Sequence, residues 1–132
     1  KQKTEEEASI MIESDIQNRI RVALSPYGMV FRTNSGDFWQ GEHVYSNEFQ
    51  QYALIHLRRV QGLPKGFSDL LFFGFDGRPA FIEVKKPNGE IRPEQINFLN
   101  LMKSYGYAAG IARSKNGALE IIKSCNNNPY RR

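Results

Sequence analysis

The chain has 132 residues, 40% hydrophobic and 24% charged, the proportions of one folded domain rather than of a disordered segment. No apolar run reaches the ~20 residues of a membrane span, and the single cysteine, Cys125, gives with His43 and His56 neither an internal disulfide nor zinc-ligand spacing. A net charge of +4 is compatible with a polyanionic partner but does not require one.

The polar start, Lys1 to Glu7, does not read as a signal peptide, and without an initiator Met the true N-terminus is expected to be trimmed or missing. Ile12, Ile16, Ile20 and Leu24 form a stripe at spacing four, which predicts a first helix. Ser25-Pro26 and Gly28 stop it. Tyr27 to Arg32 reads as a strand, and Asn34-Ser35-Gly36-Asp37 as a turn leading to the aromatic pair Phe38-Trp39. Residues 40–60 read as a hairpin or as a strand with an excursion. Gly62 to Gly66 is a loop. Asp69 to Phe75 is a strongly apolar strand, Asp76-Gly77 a hairpin turn, and Ala80 to Lys85 the returning strand. Pro93 opens a second helix with the stripe Gln95, Leu99 and Met102. Tyr107 to Ala112 is a short strand, and 116–124 a final helix or strand. The whole is a mixed α/β layer fold.

The hairpin carries the chemistry. Glu83 and Lys85, two apart, project from one strand face. A three-residue loop, Phe75-Asp76-Gly77, pairs Gly74 with Arg78 and sets Asp69 opposite Glu83; a two-residue loop throws Asp69 to the other face. Facing carboxylates repel unless one takes up a proton or a cation joins them. Oxygen ligands select Mg²⁺ or Mn²⁺. A protonated Lys85 does not bind metal but steadies charge on a water or phosphate. Acid pair, metal and lysine suit phosphodiester hydrolysis. The plainer reading is a turn aspartate and a solvated Glu-x-Lys face. Glu13, which shares a helix face with Ile16, Gln17 and Ile20, is a third acid needing a partner or water. Gln95 is either an active-site amide or a helix-start cap.

In this order the residues resemble the PD-(D/E)XK nuclease superfamily, in its virus-type replication–repair branch, the VRR-NUC domain. The matching features are Glu13 with Ile16-Gln17, Arg32-x-Asn34-Ser35-Gly36, Lys65-Gly66-Phe67-Ser68-Asp69-Leu70, Ile82-Glu83-Val84-Lys85, and Pro93-Glu94-Gln95 followed by Phe98-Leu99 and Gly106. They span about residues 10–115. The resemblance implies a restriction-endonuclease-like α/β core, a mixed sheet flanked by helices, in a single domain. Its core covers about 10–124, with 1–8 and 126–132 flexible. It implies Asp69, Glu83, the Val84 carbonyl and Glu13 (directly or through water) as ligands of Mg²⁺ or Mn²⁺. Lys85 becomes the catalytic lysine and Gln95 an active-site residue orienting it or the phosphate. Ser68 stands where the superfamily's naming proline would be, a position that shapes the turn.

The activity implied is structure-selective endonuclease cleavage of branched DNA such as junctions or flaps. The alternative is a catalytically silent nucleic-acid-binding module of the same fold. Arg32, Asn34, Lys65, Ser68, Lys86 and Arg92 are candidate DNA contacts, with Arg58, Arg59 and the tail Asn126 to Arg132 as further phosphate-binding positions. Phe38, Trp39 and Tyr45 are candidates for a homodimer interface, the first two also for core positions or base stacking. A repair role in the cytoplasm of a bacterium or phage-infected host, without membrane attachment, completes the expectation.

Overall fold

The computed structural model describes residues 5–124, and side chains from residue 13 onward. Cys125 and the tail Asn126 to Arg132 lie outside the described residues, as does the side chain of Ile12. The expected flexible start is described only from residue 5, where helix α1 already runs (Glu5–Leu24). Its apolar stripe does what the spacing requires: Ile20 and Leu24 are fully buried, and Ile16 packs against the same core. The helix stops at Ser25, whose N–H and hydroxyl both donate to the Val22 carbonyl.

Strand β1 (Gly28–Arg32) pairs antiparallel with β4 (Leu70–Gly74), and β4 with β5 (Pro79–Val84). Strand β6 (Ala108–Ala112) lies parallel to β5, so the four-stranded sheet has the order β1-β4-β5-β6 and is mixed. Even-numbered side chains of β4 and β5 (Leu70, Phe72, Ala80, Ile82, Val84) join Ile20, Leu24 and Ala118 in one core beneath α1 and α3 (Lys115–Lys123). The region 116–124, open between helix and strand in the sequence, is helical because Ser114 caps it, accepting the Gly117 N–H at 3.1 Å. Helix α2 (Pro93–Ser104) begins at Pro93 as predicted and buries Leu99. It lies against β5 and β6, where Phe67, Phe81, Phe98 and Tyr107 stack edge-on or tilted.

Residues 40–60 resolve into a hairpin. Strands β2 (Asp37–Ser46) and β3 (Gln51–Gln61) form a separate two-stranded ribbon. A bulge between Gln40 and Glu42 shifts the register. Across from Gly41, β3 carries one residue more than β2, and His56 there takes a φ of 52°, the left-handed backbone found in one class of bulge. The ribbon's substantial contacts are internal. Phe38 and Trp39 are therefore not core residues: Trp39 is 61% exposed, and Tyr45, Phe49 and Tyr52 are exposed with it.

Candidate active site

The β4–β5 turn sets the site. Gly74 N–H donates to the Arg78 carbonyl and Gly77 N–H to that of Gly74, both at 2.9 Å, and Gly77 has φ 85°. This is the odd-length loop with a left-handed glycine. The ladder then pairs Leu70 with Ile82, so Asp69, one residue before the strand, falls opposite Glu83. Two hydrogen bonds from Thr33 hold that corner: its N–H donates to the Asp69 carbonyl at 2.9 Å and its hydroxyl to the Ser68 carbonyl.

Asp69 uses Oδ2 to accept the Val84 N–H at 2.9 Å, which binds the carboxylate to the C-terminal end of β5. The Val84 side chain is buried in the core, so the peptide between Glu83 and Lys85 is fixed on both sides. Glu83 is 2% exposed. Its Oε1 accepts the Gln95 amide Nε2 at 2.7 Å and lies 3.9 Å from Lys85 Nζ. Its Oε2 is buried with no hydrogen-bond partner among the described residues. Burial pushes the Glu83 carboxyl up to about 8, reinforced by the neighbouring charge of Asp69 and opposed by that of Lys85.

Gln95 makes the helix-start bond and also reaches the acid pair. Its Oε1 accepts the Arg92 N–H at 2.9 Å, the helix-start bond, while its Nε2 holds Glu83. The first bond fixes which way the amide points, so the nitrogen faces the carboxylate. The Lys85 side chain is only 12% exposed, and the solvated-face reading of Glu-x-Lys does not describe it.

The structure thus brings together Asp69, Glu83, Lys85 and Gln95. Glu13 sits half-buried on α1. Among the described residues no three His, Cys, Asp or Glu side chains form a metal-holding group, so the acids that converge are Asp69 and Glu83. Among the candidate DNA contacts, Arg32, Asn34 and Arg92 are exposed, Lys86 is half-buried, and Lys65 is exposed with a loose ion pair to Glu94 at 3.7 Å. Ser68 corrects the expectation. It is fully buried, and its hydroxyl donates to the Leu70 carbonyl at 3.1 Å; it shapes the corner and does not face a ligand. Arg58 and Arg59 lie on the ribbon, where they pair with Gln40 and Asp37. Sequence reasoning passed over Thr33 and Arg113, whose partners are brought near only by strand pairing.

A family model, the VRR-NUC domain, matches residues 11–116. A solved structure described as a VRR-NUC domain shares the fold with a TM-score of 0.54 and 19% identity, over 85% of this chain and 95% of that one. No curated protein matches the sequence.

Proposed function

The chain belongs to the VRR-NUC domain family, a nuclease-like family, and from that premise we propose that it is a Mg²⁺- or Mn²⁺-dependent endonuclease acting on branched DNA. One observation carries the reading: a buried Glu83 carboxyl group faces a second acid, Asp69, and one of its oxygens has no hydrogen-bond partner among the described residues. An unpaired buried oxygen costs on the order of 1–3 kcal/mol, a cost that a bound cation removes. The donor set fits the hard ions: Asp69 and Glu83, with the Val84 carbonyl and a water-mediated Glu13 as further ligands. When bound, such a cation neutralises the acid pair and acts as a Lewis acid toward the scissile phosphate.

The other residues supply position and charge. Lys85 projects its ammonium beside the acids and meets the negative charge that grows on the phosphate as water attacks and the P–O bond to the leaving oxygen breaks. Gln95 keeps Glu83 oriented. Arg32, Asn34, Lys86 and Arg92, with the exposed Lys65 once it leaves its half-buried partner Glu94, offer phosphate contacts around the acids. The setting that matches this activity is DNA repair in the cytoplasm of a bacterium or a phage-infected cell. The deciding experiment is cleavage of labelled junctions, flaps, nicked duplexes and linear DNAs with Mg²⁺, Mn²⁺ or EDTA. Metal-dependent cutting of a branched substrate is expected. Binding without cutting in any metal would make the protein a silent DNA-binding module instead.

The same reading includes a homodimer through the β2–β3 ribbon. A lone two-stranded ribbon is marginal in water, and this one exposes Trp39, Tyr45, Phe49, Tyr52 and Leu57. Between residues 37 and 61 it carries three acids against two arginines in a chain of net charge +4, which favours a second copy over DNA as its partner. Two copies would present two sites to a branched substrate. Light scattering should give a dimer at micromolar concentration. Tyr52→Glu combined with Leu57→Glu should give a folded monomer, and a parent protein that is monomeric throughout would remove the assembly.

A further inference from the structure

Beyond Lys85 the chain leaves the sheet, and its next carbonyls lose the ladder. Lys85 N–H still donates to the Ala112 carbonyl at 3.1 Å, the last backbone bond between β5 and the end of β6. The loop then turns back on itself, with Gly89 N–H on the Lys86 carbonyl at 2.9 Å. The carbonyls of Lys86, Pro87 and Gly89 all point to one spot, and Pro87 has no N–H to lend. One group fills that spot. Arg113, the residue after β6, is half-buried, and its Nη1 donates to Lys86 O at 2.7 Å and approaches Pro87 O and Gly89 O at 3.1 Å each.

We infer that Arg113 is a positioning residue for Lys85, acting through the 86–89 loop; the inference rests on the nuclease reading for its effect on rate. Three carbonyl dipoles converging on a point repel one another unless a cation sits among them. With Arg113 in place the loop is closed, and Lys85 is held between a sheet bond on its own N–H and a clamped carbonyl one residue on. Its short, shielded path to Glu83 depends on both. Without Arg113 the loop opens, and Lys85 gains freedom at the point where its ammonium must be placed. Arg113 has its Nη1 committed to these carbonyls, so its loss should leave DNA affinity nearly unchanged. It also lines a cavity of about 710 Å³ between α1 and the start of α3.

The test is Arg113→Ala, with Arg113→Lys beside it, read three ways. Single-turnover cleavage at saturating DNA should fall by a factor of roughly 10–100 in Arg113→Ala, with KM within about twofold of the parent. Guanidinium chloride at tens of millimolar should restore several-fold of the loss, while NaCl at equal ionic strength should not; Arg113→Lys should be intermediate. Hydrogen exchange at the Lys85 amide should quicken while amides of β4 and α1 keep their protection. A parent-like rate with a parent-like Lys85 amide overturns the inference. So does a loss confined to KM, which would make Arg113 a DNA contact, and so does a general loss of protection with no guanidinium rescue. If the parent protein cuts no DNA in any metal, the nuclease reading falls and takes the rate effect with it; the exchange experiment then still reports whether the clamp exists.

Discussion

Glu83→Gln is expected to reduce cleavage by a factor of roughly 10³ and, in the same protein without metal, to raise its thermal stability at pH 8.5. The two effects have one origin. In the folded protein the Glu83 carboxyl titrates near 8, against an ordinary value of 4.5, because it is buried and faces Asp69. Below about pH 4.5 both folded and unfolded chains carry the proton, and the group costs the fold nothing. Between about 4.5 and 8 the folded protein holds a proton that the unfolded chain has released, so stability falls as pH rises through this window and levels off above it. The full shift corresponds to a few kcal/mol, on the order of 2–5. Glutamine keeps an oxygen for the Gln95 amide and puts an N–H₂ toward Asp69, with no charge to desolvate. With EDTA present, the variant should melt roughly 5 °C or more above the parent at pH 8.5 and close to it at pH 5. Equal destabilisation at both pH values would show that Glu83 is not held under this electrostatic load.

The second large effect belongs to Lys85. Lys85→Ala should lower the single-turnover cleavage rate by roughly 10²–10³ while DNA affinity changes no more than a few-fold, since the proposed phosphate contacts lie on other cations. The side chain is not part of the core cluster and leaves the strand ladder beyond Val84, so the fold should survive its truncation. One secondary change is expected: removing the positive charge that lowers the Glu83 carboxyl should push its titration higher still. A variant that folds, binds DNA and cuts near the parent rate would take Lys85 out of the reaction.

What the sequence made legible was whatever depends on local spacing. The stripe from Ile16 to Leu24, the start of α2 at Pro93 and the left-handed Gly77 are each decided within a few residues. The pairing of Asp69 with Glu83 followed from counting outward from that turn, since antiparallel register is fixed by its loop. Strand β6 was expected as an element, but its parallel place beside β5 joins positions 28 residues apart, such as Ala80 and Ala108, across a helix, and local spacing does not encode such pairings. Arg113 was overlooked for that reason. The burial of Glu83 was hidden too, because a Glu-x-Lys strand is the same string of letters on a wet face and under a helix. Ser68 misled in the opposite direction: beside Asp69 in sequence, it points into the core.

The turn at Phe75-Asp76-Gly77 has a consequence for how this protein can change length. It is exposed, with Phe75 72% accessible, and stands at the far end of β4 from Asp69, where an added residue would ordinarily be harmless. Here parity matters more than chemistry. One residue more or less rotates all of β4 by half a turn relative to β5, carrying Leu70 and Phe72 out of the core and Asp69 away from Glu83. Insertions are therefore tolerable only in pairs, if at all, at this tip. The other hairpin tip, Asn47 to Gln50, joins two strands whose side chains bear on neither the core nor the acids. Growth of the chain, whether by a longer ribbon or by a whole inserted domain, is steered to that tip, and the end of the molecule that holds Asp69 and Glu83 is insulated from it.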